Sequence, residues 1–277
     1  MNLKQFVDEE TGEILVSQRE VLERYESERR QRHAYKEKLE RERAKERGDH
    51  RQFLQVYNAS MGELNKDLSL VDAGLLLKLS LNLRLGFGNM LVTGSDKRPL
   101  KKAEIGRIIG RSSKSGIDTA LKRLINLGVV RKEERLYFIS EDVVSMGSNK
   151  KSEPFTKVYR TQAKEMLDKL TDSEAGFILK ATAYVSHNFL VLAYNPREQD
   201  ETKLQSIRQE DLAELLGVEV PYISTILSGL RKKGAAATFS TGVRGNTIIL
   251  HPYICDRGND EDVVVSLVAK LFRIAQS

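Results

Sequence analysis

The chain has 277 residues, 40% of them hydrophobic and 30% charged, and carries a formal charge of +6 with a sequence pI near 9.2. That length suits two cores and an appendage better than one small domain, and no apolar stretch approaches the roughly 18 residues that a membrane span requires. The lone cysteine, Cys255, excludes an internal disulfide and supplies no metal-ligand spacing. The opening, Met1 to Glu13, is polar and acidic and lacks a signal-peptide pattern, so a reducing, cytoplasmic setting is expected.

The segment from Ser17 to Arg47 reads as a highly charged helix, opened by Ser17-x-x-Glu20 and laced with opposite charges four apart, such as Glu20 with Arg24, Glu28 with Arg32 and Glu37 with Arg41. Its apolar residues, Val21, Leu22, Tyr25, Tyr35 and Leu39, are too sparse for a heptad seam. It is expected to stand as a solvated arm, or else to bind a partner or pair with another copy as a homodimer. Residues 1–50 hold 12 Lys+Arg against 13 Asp+Glu, residues 51–150 hold 17 against 10, and residues 151–277 hold 16 against 16. The positive excess therefore sits in the middle segment, where it favours a polyanion.

An internal repeat organises the rest. Phe53, Val56, Tyr57, Leu68, Ala73, Gly74, Leu77 and Lys78 recur at a constant offset of 102 as Phe155, Val158, Tyr159, Leu170, Ala175, Gly176, Leu179 and Lys180, with Asp72 answered by Glu174. The register shifts at Asn89-Met90-Leu91-Val92 against Asn188-Phe189-Leu190-Val191 and resumes with Gly110 against Gly217; Ile117, Leu121, Leu124 and Gly128 then answer Ile223, Leu227, Leu230 and Gly234.

Each copy predicts the same local order. A helix opens at Ser69-x-x-Asp72 or Thr171-x-x-Glu174, and a short strand follows at Met90–Val92 or Phe189–Leu192. A helix of about nine residues then ends at Gly110 or Gly217, where a residue without Cβ can take a positive φ. The next helix runs from Ser113 to Leu127, or from about Pro221 to Lys232, with Ile117, Leu121 and Leu124 or their counterparts facing a core. A hairpin closes each copy: Val129-Val130, a charged tip Arg131–Arg135 and Leu136–Ile139 in the first, Ala237–Phe239, a tip Thr241–Asn246 and Thr247–Leu250 in the second. Helix, strand, helix, turn, helix, hairpin is the winged-helix order, in which the second helix of the turn enters the DNA major groove and the hairpin reaches the backbone or minor groove.

On that reading the first copy meets DNA through Ser113, Lys114, Ser115, Asp118, Lys122 and Arg123 on the second helix. Lys101, Lys102, Arg107, Arg111 and the hairpin's Arg131, Lys132 and Arg135 supply phosphate contacts. The second copy presents Tyr222, Ser224, Thr225, Ser228, Arg231 and Lys232, with Arg244 at the hairpin tip. Its preceding helix is acidic, with Glu210, Asp211 and Glu214, so this copy either touches DNA or serves dimerisation or partner binding. From Asp260 a C-terminal amphipathic stripe of Val264, Leu267, Val268, Leu271 and Ala275 either seals the second core or pairs with another subunit.

Nothing points to catalysis. The four histidines lie far apart, no phosphate-binding GxxxxGK[ST] loop occurs, and no metal or cofactor motif is present. The expected organisation is a mainly α chain with small β wings, α+β in class: a polar leader and charged arm over 1–50, winged-helix domains over 51–144 and 155–256, a linker over 145–154, and a C-terminal helix over 257–277.

The order Phe-x-x-Val-Tyr, capped helix, Asn-containing strand, helix-turn-helix and wing resembles the winged-helix replication proteins of firmicute plasmids and their phages, and is also similar to regulators of the MarR kind. The leader Phe6-Val7-Asp8-Glu9-Glu10-Thr11-Gly12-Glu13-Ile14 looks like that of such mobile-element proteins. The resemblance covers most of residues 50–255. It implies double-stranded DNA as partner and control of plasmid or phage replication initiation, with host replication proteins as further partners. The alternatives are a transcriptional regulator on promoter DNA and a non-catalytic protein-interaction adaptor.

Overall fold

The computed structural model describes residues 53–94, 96–146, 153–187, 190–240 and 246–257, together with the short strands β1 (Phe6–Val7) and β2 (Ile14–Leu15). The charged segment 17–47, the hairpin-tip Arg244 and the C-terminal stretch beyond Arg257 lie outside the described residues. Met1–Arg51 is one unit, in which β1 and β2 pair antiparallel with Phe6 opposite Leu15 and Val7 opposite Ile14. Gln52–Ser277 is the other, and it is mixed α+β.

In that second unit the first copy runs β3 (Phe53–Tyr57), α1 (Asn58–Leu64), α2 (Leu70–Ser80), α3 (Lys102–Ile108), α4 (Lys114–Asn126), β4 (Val130–Glu133), β5 (Leu136–Ile139) and β6 (Val144–Ser145). The second copy follows the same order: β7 (Phe155–Tyr159), α5 (Arg160–Leu167), α6 (Asp172–Ala181), α7 (Gln209–Leu216), α8 (Val220–Lys232), β8 (Ala236–Ser240), β9 (Asn246–Leu250) and β10 (Cys255–Asp256). Among the described residues no helix is long and apolar enough to cross a membrane.

Capping chemistry sets where the central helices begin. The Ser69 hydroxyl accepts the Asp72 N–H at 3.1 Å and donates to the Asp72 carboxylate at 2.8 Å. Thr171 and Glu174 form the full reciprocal box, at 3.3 and 2.7 Å. Helix α2 is apolar nearly all round, as befits a helix buried on every side.

The sequence alone suggests two cores; among the described residues the large core is shared by both copies, with a small separate cluster of Leu190, Val191 and Ile249. Buried apolar side chains from Leu54 to Cys255 form that shared core, because the copies face each other across an internal two-fold. Strands β3 and β7 pair antiparallel, with Gln55 opposite its own repeat counterpart Lys157. Counterparts Phe53 and Phe155 stack with ring centroids 6.4 Å apart. The flanking strands repeat the relation: Val144 pairs with Val56 as Cys255 pairs with Val158, giving the sheet order β10-β7-β3-β6. Cys255 is fully buried there and burial pushes its thiol up, so it packs as a small apolar side chain.

Helices α2 and α6 cross on the same axis, backbone against backbone. A Cβ built on Gly74 would lie 1.9 Å from the Asp172 carbonyl oxygen, and one on Gly176 would lie 1.7 Å from the Leu70 carbonyl oxygen. Asp172 and Leu70 are themselves repeat counterparts. Only glycine allows this contact on either side.

Polar groups at the junction are satisfied differently on its two sides. Lys78 donates to Asp172 at 2.6 Å, and Arg111 reaches the same carboxylate at 2.9 Å. The counterpart of Asp172 is Leu70, so Lys180 has no acid there and donates instead to the carbonyls of Leu68 and Leu216, at 2.8 and 2.9 Å. It is 1% exposed, and burial lowers its pKa to about 8.

Three local readings change. The strand expected at Met90–Val92 reduces to isolated bridges, Met90 with Phe138 and Val92 with Pro99; of the strand expected at Phe189–Leu192, Phe189 lies outside the described residues and the rest forms bridges of Val191 with Ile249 and Leu192 with Val185. Asn89 and Leu190 both take φ near +58°, which breaks extended backbone at these points. The charged run Arg131–Glu133 belongs to strand β4 rather than to a tip, because both faces of its outer end meet water; the turn is Glu134–Arg135 alone. Strands β3 and β7 and helices α1 and α5, which the sequence reading left unassigned, complete each copy.

Replacing Gly74 by Ala should cost at least roughly 3 kcal/mol, the upper end for overpacking, because backbone cannot step aside as a side chain can. Gly62→Ala, in helix α1 with nothing within 4 Å of the new methyl, should gain about 0.5–1 kcal/mol. Denaturant midpoints of the two variants check the contrast. The lowered pKa of Lys180 makes a second prediction. The unfolded lysine, with a pKa near 10.5, keeps its proton between pH 8 and 10.5 while the folded one releases it. Wild type should therefore gain up to about 3 kcal/mol over Lys180→Met across that window, and a flat difference contradicts the assignment.

Candidate nucleic-acid interface

Helix α3 is set by an acid rather than by its own N-cap side chain. Glu104 accepts the Lys101 backbone N–H at 2.8 Å and forms a bidentate pair with Arg98 at 2.6 and 2.9 Å. The Arg98 guanidinium, followed by the Lys101 N–H, holds the Glu104 carboxyl at about 2. The chain leaves α3 through Gly110 at φ +67°, and the Arg111 N–H closes back on the Gly106 carbonyl at 2.8 Å. Ser113 then caps α4, its hydroxyl accepting the Gly116 N–H at 3.1 Å.

Helix α4 buries Ile117, Ala120, Leu121 and Leu124. Its other face carries Ser113, Lys114, Ser115, Lys122 and Arg123, all exposed, and Asp118, half-buried. The Lys102 ammonium bonds Asp118, and with the fields of Lys114 and Lys122 holds that carboxyl below its usual range. Exposed Thr119 sits between Ser115 and Lys122 on the same face; the i, i+4 spacing from Ser115 could have found it.

The predicted cations divide into two sets. Arg123 grips Asp72 on the first turn of α2 through three bonds of 2.7–3.1 Å, and Arg111 is paired to Asp172. These two therefore anchor α4 and its turn to the central helices. Lys102 is occupied by Asp118, and Arg131 by Glu133 at 2.9 Å and by the Phe138 ring at 5.1 Å. Lys101, Lys114, Lys122, Lys132 and Arg135 are exposed and have no carboxylate within ion-pair distance among the described residues. Arg107 has only Glu104 at 4.0 Å, which Arg98 already holds.

The second copy repeats the anchor but not the face. Lys233 reaches Glu174, the counterpart of Asp72, at 2.5 Å. Helices α4 and α8 are both 13 residues long, so Lys114 answers to Val220, Gly116 to Tyr222 and Lys122 to Ser228, while Ser113 answers to Glu219. One helix earlier, Arg107 answers to Glu214 across the paired glycines. Val220 and Tyr222 are 37% and 41% exposed, and the Tyr222 hydroxyl bonds Ser173 at 2.6 Å. Ser224 and Thr225 are exposed, Thr225 donating to the Pro221 carbonyl at 3.0 Å; Ser228 is half-buried, and Arg231 and Lys232 are exposed in the last turn.

Compared with protein-family models, curated proteins and solved structures, the chain matches none.

Arg123→Ala leaves the Asp72 carboxylate, 7% exposed, without its cation, and should destabilise by about 1–3 kcal/mol. Lys122→Ala one residue away should stay within about 0.5 kcal/mol of wild type. Equal unfolding midpoints for the two variants would refute the anchor role.

Proposed function

We propose that the chain is a non-enzymatic, sequence-specific double-stranded DNA-binding protein built from two winged-helix units, acting in the cytoplasm to control replication initiation of a plasmid or phage. One observation carries the reading. Lys114 and Lys122 have no ion-pair partner among the described residues and stand on the outward face of α4, a helix whose inward face and C-terminal end are fixed by Ile117, Leu121, Leu124 and the Arg123–Asp72 pair. A rigid helix with small hydroxyls and free N–H groups at its start and spare cations along one face suits a major groove flanked by phosphates. The hairpin β4–β5, with Lys132 and Arg135 exposed, lies beside it as a wing.

The internal two-fold adds the expected shape of the site. It relates α4 to α8 as a dyad relates the halves of an inverted DNA repeat, so one chain would cover two oppositely directed half-sites. The half-sites would differ, because Lys114 and Lys122 give way to Val220 and Ser228. For the second copy, exposed Val220 and Tyr222 beside Glu214 and Glu219 also favour a protein contact, such as a host replication protein.

The Lys114→Ala/Lys122→Ala double variant should weaken duplex binding and flatten the slope of log affinity against log salt by about 0.9 per lysine removed. Fluorescence anisotropy over a salt series measures both quantities. Unchanged affinity and slope would remove α4 from the contact surface, and wild-type protein that shows no salt-dependent duplex binding would end the DNA reading. Footprints on origin repeats support the replication role, whereas footprints confined to promoters support a transcriptional one.

A further inference from the structure

Away from the outward face of α4, a cleft of about 640 Å³ opens at the junction of the copies, between the end of α2, the end of α3 and helix α5. Five cations line it, Lys78, Arg84, Arg107, Arg160 and Lys164, against two acids, Glu165 and Asp168. Lys78 is committed to Asp172, and the Arg160 Nε and Nη2 are turned to the Leu81 carbonyl at 3.2 and 3.1 Å. Arg84, Arg107 and Lys164 have no close ion pair among the described residues. Among the described residues Arg84 donates to the Leu81 and Leu83 carbonyls, and burial lowers its pKa. Exposed Lys164 has no acidic partner among the described residues, and the carboxylate nearest Arg107 is spent on Arg98.

The duplication supplies an internal control for what the fold itself needs. At the counterpart positions Arg160 is Asn58, Lys164 is Gly62 and Arg107 is Glu214. The same helices pack across the same axis there without these cations. The scaffold therefore does not require Arg107 or Lys164, and together with Arg84 they are cations for which the described residues offer no close carboxylate, which suits an external anion. Leu81, Ile108 and Leu167 add apolar wall for an organic body, and the volume falls within the range of small-molecule sites.

We infer that this cleft binds a phosphate-bearing anion of up to mononucleotide size, with Arg84, Arg107 and Lys164 as its ligands, clamping α3 of the first copy to α5 of the second. The assignment stands independently of the DNA reading. Pyrophosphate and ATP are the probes, added to the full chain at ionic strength held constant with NaCl. At 100 times its dissociation constant, either should raise the melting temperature by on the order of 5 °C, and titration calorimetry should show one site per chain. Lys164→Gln, on an exposed position of α5, should abolish most of the shift while the unliganded melting temperature stays the same; Arg84→Gln, shown folded by circular dichroism, should do likewise. No shift with either probe, or an equal shift in Lys164→Gln, overturns the site. A duplex arm separates the two sources of phosphate. Loss of duplex affinity in Lys164→Gln with no response to pyrophosphate or ATP assigns these cations to DNA and overturns the small-molecule site.

Discussion

The crossing of α2 and α6 at Gly74 and Gly176 is the contact on which the remaining geometry depends. With carbonyl oxygens where Cβ atoms would stand, the two helices cannot slide or rotate without losing the interdigitation that seals the shared core. The β3–β7 ladder holds the same axis at a second place, Gln55 against Lys157. Two contacts on one axis set how the copies meet. Each outer helix then leans on the first turn of a central one, Arg123 of α4 on Asp72 and Lys233 at the end of α8 on Glu174. The placement of α4 and α8 relative to each other is therefore inherited from the glycine crossing, not set by loops.

The polar groups at that junction show how a symmetric scaffold tolerates asymmetric chemistry. On one side Asp172 collects Lys78 and Arg111. On the other, Leu70 occupies the acid's place, and Lys180 turns to two carbonyls, one of them Leu216 at the last turn of α7, where the helix leaves acceptors unsatisfied and its dipole favours a cation. A buried ammonium without a carboxylate is the costlier solution, and the lowered pKa of Lys180 is the physical trace of that cost. It is tolerated because the lysine satisfies carbonyls from both copies at once, Leu68 and Leu216.

How far the sequence discloses this depends on range. The capped starts of α2 and α6, the glycine turns at Gly110 and Gly217 and the buried stripe of α4 rest on spacings of a few residues, the duplication on one constant offset, and all are present in the structure. The mutual docking of the copies is not a matter of spacing, since a repeat offset says nothing about how two repeats meet. Its trace was there in Phe53–Tyr57 and Phe155–Tyr159, five-residue runs long enough for a strand, and in a glycine four residues into each central helix. The candidate site divides the same way. Solvent-facing lysines follow from helical periodicity, whereas the partners of Arg123 and Arg111 lie 51 and 61 residues away, so cations that serve as anchors read in the sequence like cations that serve a ligand.

The duplicated scaffold with unlike outer faces has a consequence for recognition. A homodimer with this two-fold would present identical helices, and its preferred target would be a perfect inverted repeat. Two copies in one chain keep the dyad, which on the proposed reading would set the spacing of two half-sites, while their outer faces can differ. The two copies share glycine at the crossing and an acid on the first turn of each central helix, tied to a cation. They differ at Lys114 against Val220 and at Arg107 against Glu214. On the proposed reading, electrostatic affinity then comes mainly from one end of the molecule and polarity from the difference between the ends. On that same proposed reading, unlike ends would let the chain bind an origin in one orientation only, which is what placing a host protein on a defined side of the site would demand.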